Sequence, residues 1–212
     1  MKKLLVLAGL MLAAAPIQAR PILKPISKAE LANYLPKGAE LEVRIDADVT
    51  GDGIRDTVAV GRSEEERKLV VLAGYVYETD MGYRPVGSMA MDISPLGEAG
   101  LSVKAEVLIV QDLTGGTTAI NSLYRFRYEK PADRMRLIGD DVTLYSRTNS
   151  HGSTDISTNR LTGVQITKHS KIRGEGENAS LIPGKAITRK ISSKPIYMED
   201  APDPAATLGW GD

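Results

Sequence analysis

Short segments in which apolar and polar residues alternate one for one recur through this chain roughly every ten residues. Leu41–Ile45 reads LEVRI, Ile120–Glu129 reads INSLYRFRYE and Val164–Ile172 reads VQITKHSKI. Side chains on a strand point alternately to its two faces, whereas a helix repeats every ~3.6 residues, so this period of two specifies half-buried strands. The segments are separated by turn formers such as TDMG, KPAD and RLTG. Many short strands with turns between them predict an all-β domain, mainly antiparallel, built as a sheet or sandwich of hairpins. In Ile120–Glu129 the residues Tyr124, Phe126 and Tyr128 share one face, which is assigned to the core, and Leu123, Arg125 and Arg127 share the other.

Between these segments the details vary. Ser27 followed by Glu30 is a capping-box pattern and predicts one short N-terminal helix over 28–34. Thr57–Gly61 and Leu69–Glu78 read as strands, and RSEEERK (Arg62–Lys68) reads as a solvated turn. The segment Tyr83–Met91 carries Pro85, which lacks an amide donor and belongs at a sheet edge. Leu101–Gln111 reads as a single strand, and RMRLIGDDVTLYSRT as a long one bent at Gly139. AITRKI reads as a last strand. From Glu199 the chain is acidic and Pro-rich and is expected to be a flexible tail over 199–212, with Trp210 in it. The single β-rich domain is expected over 20–198.

The first residues carry Lys2 and Lys3, then an apolar run from Leu4 to Ala15, then Ile17-Gln18-Ala19. This is the pattern of a secretory signal peptide over 1–19, cut after Ala19. The apolar run falls short of the ~20 residues that span a bilayer, and no transmembrane segment is expected. The short leader regions point to a periplasmic or secreted bacterial protein. There is no cysteine, so disulfides and thiolate metal sites are excluded, and stability must come from a core. Lys and Arg total 27 against 27 Asp and Glu, with no concentrated basic face, so no nucleic-acid partner is expected.

The densest acidic stretch is DADVTGDGIRD, Asp46–Asp56. Counting from Asp48, it has Thr50 at position 3, Asp52 at 5, Gly53 at 6, Ile54 at 7 and Asp56 at 9. A chain wrapping a hard cation offers an oxygen at every second residue, and a glycine at the sixth place permits the turn that brings the seventh carbonyl inward. That spacing predicts a Ca2+ site. The bland alternative is a glycine-rich hairpin turn with solvated aspartates, since Asp and Gly favour turns for local reasons. Position 12 is Ala59 and the flanks read as strands, so an EF-hand is not expected.

DVTGDGIRDTVAV resembles the calcium loop of FG-GAP-type repeats, in which an aspartate-rich loop joins two strands. The resemblance covers about twenty residues. It implies a metal set of Asp48, Thr50, Asp52, Ile54 through its carbonyl, and Asp56. The chain lacks the Phe-Gly and Gly-Ala-Pro signatures, and its partial echo DLTGG, Asp112–Gly116, cannot chelate in the same way. Over most of its length the chain also resembles small secreted bacterial proteins of unknown function with a single such loop, a resemblance that implies no activity.

Other constellations are weaker. SHGSTD, Ser150–Asp155, holds the residue types of a triad, but triads are assembled from distant segments, not from neighbours in one turn. His169 has no second ligand nearby, DLTGGTT lacks the lysine of a phosphate loop, and Asp92 and Asp140 read as turn or surface acids. The expected function is an exported calcium-binding β-domain that acts as a binding or interaction module towards an envelope or extracellular partner. The alternative is an envelope-directed hydrolase, which would gather groups such as Asp92, Asp140 or His151, or an enzyme inhibitor.

Overall fold

A computed structural model describes residues 22–78, 80–174 and 179–209. The signal peptide expected over 1–19 and Trp210 lie outside them. Over the described residues the chain is all-β, with two antiparallel sheets and two helices of a single turn. Helix α1 (Lys28–Leu31) begins at Ser27, whose hydroxyl accepts from the Glu30 amide while the Glu30 carboxylate accepts from the Ser27 amide. The capping box is therefore real, and the helix is shorter than expected.

The first sheet runs in chain order: β1 (Glu40–Ala47), β2 (Asp56–Arg62), β3 (Arg67–Tyr77) and β4 (Asp80–Met91). Strand β4 lies at its edge, where Pro85 costs no ladder bond. The second sheet has β5 (Gly100–Lys104), β6 (Val107–Gly115), β7 (Thr118–Glu129), β8 (Arg134–Ser146), β9 (Ser153–Asn159) and β10 (Val164–Arg173) in successive hairpins. Two short strands, β11 (Ser180–Pro183) and β12 (Ile187–Lys190), pair with opposite ends of β10.

Two expectations about strands are corrected. The single strand expected over 101–111 is a hairpin, with Lys104 paired to Val107 and a two-residue turn between them. Ala105 and Glu106 take positive φ, 48° and 60°, as a turn matching the strand twist requires. Neither is the usual Asn or Gly, so the turn carries no sequence signal. The solvated turn expected over 62–68 ends in a buried residue: Arg67 opens β3 and is 1% exposed. In β8 the bend at Gly139 is a bulge, because Arg125 pairs with Gly139 and Phe126 with Leu137, leaving Ile138 unmatched.

The sheets pack face to face around one core. Val58, Val60, Leu69 and Val71 from the first sheet meet Leu108, Val110, Phe126 and Leu137 from the second. Tyr124 and Phe126 are buried as the alternation predicts. The opposite faces of β2 and β3 bury Ala59, Val70 and Leu72 under Ile26 and Leu31. The first sheet is thus covered on both sides, which explains why β2 and β3 read as continuous apolar runs.

The segment from Glu199, expected as a flexible tail, packs onto this frame. Met198 is fully buried in the core and starts a 3₁₀ turn, Met198–Asp200. The Leu137 amide donates to the Ile196 carbonyl (2.9 Å), and the Arg134 guanidinium lies 4.1 Å above the Tyr197 ring. Helix α2 (Pro204–Thr207) follows, capped by Asp203, whose carboxylate accepts from the Ala206 amide. Within the segment itself, Ala201 packs against the core and the Pro202 carbonyl accepts from the Tyr124 hydroxyl.

Candidate functional site

The β1–β2 loop is closed by the Ala47–Asp56 pair, and its aspartates face its own backbone. Asp48 accepts through Oδ1 from the amides of Gly51 (2.7 Å) and Asp52 (3.3 Å), and through Oδ2 from Gly53 (2.8 Å). The Asp52 carboxylate accepts from the Ile54 amide at 2.8 Å. Gly51 and Gly53 have φ of +74° and +81°, the left-handed conformation that glycine adopts without strain.

Asp56 does something different. It is completely buried, and both its oxygens are used: Oδ2 accepts from the amides of Val49 (2.7 Å) and Thr50 (2.9 Å), and Oδ1 from Gly74 on β3 (2.9 Å). One carboxylate therefore ties the loop to two strands. Burial pushes the Asp56 carboxyl above its usual range, while the three amides pull it down.

The expected ligand set of Asp48, Thr50, Asp52, Ile54 and Asp56 shares this loop; Thr50 Oγ1 lies 3.5 Å from Asp48 Oδ1, while Asp56 is buried. Among the described residues no group of three or more His, Asp or Glu side chains is placed to hold a metal ion. Asp56 is turned inward, with backbone amides on both of its oxygens. The sequence pattern could not reveal this, since whether an aspartate faces a cation or an amide depends on the strand that passes beside it. One acid from elsewhere does come close. The Glu106 carboxylate, from the β5–β6 turn, lies 3.0–3.2 Å from where a Cβ would stand at Gly51.

A second constellation joins the two sheets. The Arg67 Nε and Nη2 donate to Glu42 of β1, both at 2.7 Å, and Nη1 and Nη2 donate to Asp112 of β6 at 2.8 and 3.0 Å. Nη1 also donates to the Asp92 carbonyl (3.1 Å). All five guanidinium donors are thereby satisfied, which a lysine could not reproduce. The Ala99 amide adds a bond to Glu42 at 2.7 Å. Burial opposes ionisation of Glu42, yet its bonds to Arg67 and Ala99 hold it below the usual carboxylate range. Burial would lower the Arg67 pKa, but the two carboxylates raise it further.

Beside this cluster lies a cleft of about 270 Å³. Its floor is Asp112, Ser122 and Tyr124, and apolar walls come from Met89, Met91 and Ile120. The remaining wall is the C-terminal segment, Ala201 to Ala205. The Tyr124 hydroxyl donates to the Pro202 carbonyl at 2.8 Å and pins that wall in place. Asp92 and Asp203 stand at the cleft as well. Sequence reading missed Arg67, Asp112 and Ser122; Arg67 was hidden in the charge run RSEEERK, and the one available signal was an aspartate following the apolar run of Val107–Val110.

The residues considered for hydrolysis are dispersed. Asp92 lines the cleft, with Oδ1 accepting from the Ser94 amide. Asp140, expected at a turn or surface, is instead 1% exposed and paired through both oxygens with Arg160. His151 bonds Thr118 through Nε2 (2.7 Å) and the Gly152 carbonyl through Nδ1 (2.7 Å). Ser150 bonds Ser146, and Asp155 bonds Thr143, so SHGSTD forms no relay. Among the described residues no helix is long and apolar enough to cross a membrane. Comparison with family models, curated proteins and solved structures found no match.

Proposed function

We propose that the chain is an exported binding module whose cleft between the sheets takes a small ligand. The observation that carries this reading is the construction of the cleft: buried polar groups at Asp112 and Ser122 lie beneath apolar walls. A concave, mainly apolar site with few placed polar groups is the general form of a ligand pocket. Two sheets joined by the Arg67 cluster give it a rigid floor. The leader pattern over 1–19 supports export, and the envelope is where its ligand or partner would be met.

The test is a fragment screen by ligand-observed NMR on the mature chain, repeated on Ala205→Trp. That substitution fills the cleft from its wall and leaves the core untouched. Hits lost in the variant support the reading; hits retained in the variant, or no hits in the parent protein, overturn it.

A second reading keeps calcium at the β1–β2 loop. It is favoured by the left-handed Gly51 and Gly53 and by the Glu106 carboxylate against Gly51. Asp48, Thr50, Asp52 and the Ile54 carbonyl would hold the ion, with Asp56 bracing the loop from behind or joining after releasing its amides. Bound calcium would stiffen the loop and, at a hundred times its dissociation constant, add ~2.7 kcal/mol to stability. Identical melting in millimolar calcium and in chelator would remove this reading.

A further inference from the structure

We infer that the cleft selects an organic cation, a small ammonium with a compact apolar body. This rests on the binding reading above and names the ligand class. On the floor, Asp112 shares the Arg67 guanidinium with Glu42, on which Arg62 also acts. Asp92 and Asp203 add two carboxylates at the cleft, and among the described residues no Lys, Arg or His lines it. An anion would meet Asp92, Asp112 and Asp203, with the nearby Arg67 already committed to Asp112 and Glu42.

Ser122 supplies a second, independent observation. It sits opposite Asp112 in the β6–β7 register and is 3% exposed. The residue lines the cleft, and its hydroxyl makes no hydrogen bond to another described residue and is not sealed from the cleft. A hydroxyl that opens onto the cleft with no protein partner is a place for a ligand donor. An ammonium there can donate to the Ser122 Oγ and to lone pairs of Asp112 that Arg67 leaves free. The Tyr124 proton is already donated to the Pro202 carbonyl and is not free for Ser122 or Asp112.

The field around Tyr124 agrees. Its phenol is pushed upward first by burial and then by the carboxylates of Asp140, Asp203 and Asp112. The apolar residues Met89, Met91 and Ile120 would cover the body of the ligand. A volume of about 270 Å³ lies just under the ~300–1,000 Å³ of drug-sized sites, which suits a small molecule better than a folded partner.

The experiment uses the mature chain, 15N-labelled, titrated at constant ionic strength with n-butylammonium chloride, 1-butanol, sodium butyrate and calcium chloride. Butylammonium is expected to give saturable shifts at the Met91, Ser122 and Ala205 amides. Butanol should bind at least about tenfold more weakly, and butyrate and calcium should leave these signals unmoved. Ser122→Ala and Asp92→Asn should each weaken butylammonium about tenfold with the spectrum otherwise preserved. Butanol or butyrate binding as tightly as butylammonium would overturn the charge class and leave the cleft reading standing. Calcium giving the same shifts would overturn the organic class. Unchanged affinity in both variants would also overturn the inference, and silence from all four probes would defeat it together with the cleft reading.

Discussion

Arg67 and Asp112, 45 residues apart in sequence, form a two-pronged ion pair across the gap between the sheets, with N–O distances of 2.8 and 3.0 Å. Glu42 completes the arrangement from the other side, so one guanidinium holds β1, β3 and β6 together. Taking such charges out of water is costly, and the full set of bonds is what offsets it.

Removing the cation alone should therefore be severe. Arg67→Met leaves two carboxylates buried without a counter-charge and is expected to cost about 3–5 kcal/mol. Arg67→Lys restores the charge but not the five donors, and should recover only part of the loss. Urea denaturation of both variants checks this; a change below ~1 kcal/mol in Arg67→Met would show that the pair is not coupled to folding.

The same cluster sets an acid limit. The Glu42 carboxyl is held below its usual 4.5 in the folded protein. A depressed folded pKa means stability that is present above the unfolded value and lost as the pH falls through the folded one. Stability should thus decline progressively below about pH 4.5, and Glu42→Gln should be less stable at neutral pH but show a shallower decline. Denaturation midpoints from pH 7 to 3 are the measurement.

Asp56 should behave as a structural group whatever calcium does. Asp56→Ala leaves the amides of Val49, Thr50 and Gly74 without their acceptor. At ~1–3 kcal/mol for each unsatisfied buried group, partly relieved by water entering, the net loss should be at least ~2 kcal/mol. Hydrogen exchange at Val49 and Gly74 should accelerate selectively. Unaltered protection at these two amides would argue against the brace.

Tyr124→Phe tests the C-terminal wall. It removes only the hydroxyl that holds the Pro202 carbonyl. The expected cost is ~1 kcal/mol, with faster proteolytic cleavage between Met198 and Gly209 than in the parent protein. Equal cleavage rates would mean that Met198 and Tyr197 suffice to hold the segment.

Turn residues decided how well the elements could be read. The β7–β8 hairpin was legible because KPAD announces it between two alternating runs. The β5–β6 hairpin was not, because Ala105 and Glu106 take left-handed backbone conformations without glycine or asparagine. The same limit applies to charge. RSEEERK is a solvated run by composition, yet its Arg67 turns inward where Glu42 and Asp112 await it.

What the amino-acid order determined by itself was local: strand periodicity, the Ser27–Glu30 cap, the edge placement of Pro85 and the aromatic core face of β7. These depend on dihedral preference and on side chains alternating along one strand. The tertiary structure alone decided which acids are buried, which amides Asp56 accepts from, and that residues after Glu199 wall a cleft. Each of those rests on groups brought together from distant segments, and a polar side chain takes its role from whatever partner packing sets beside it.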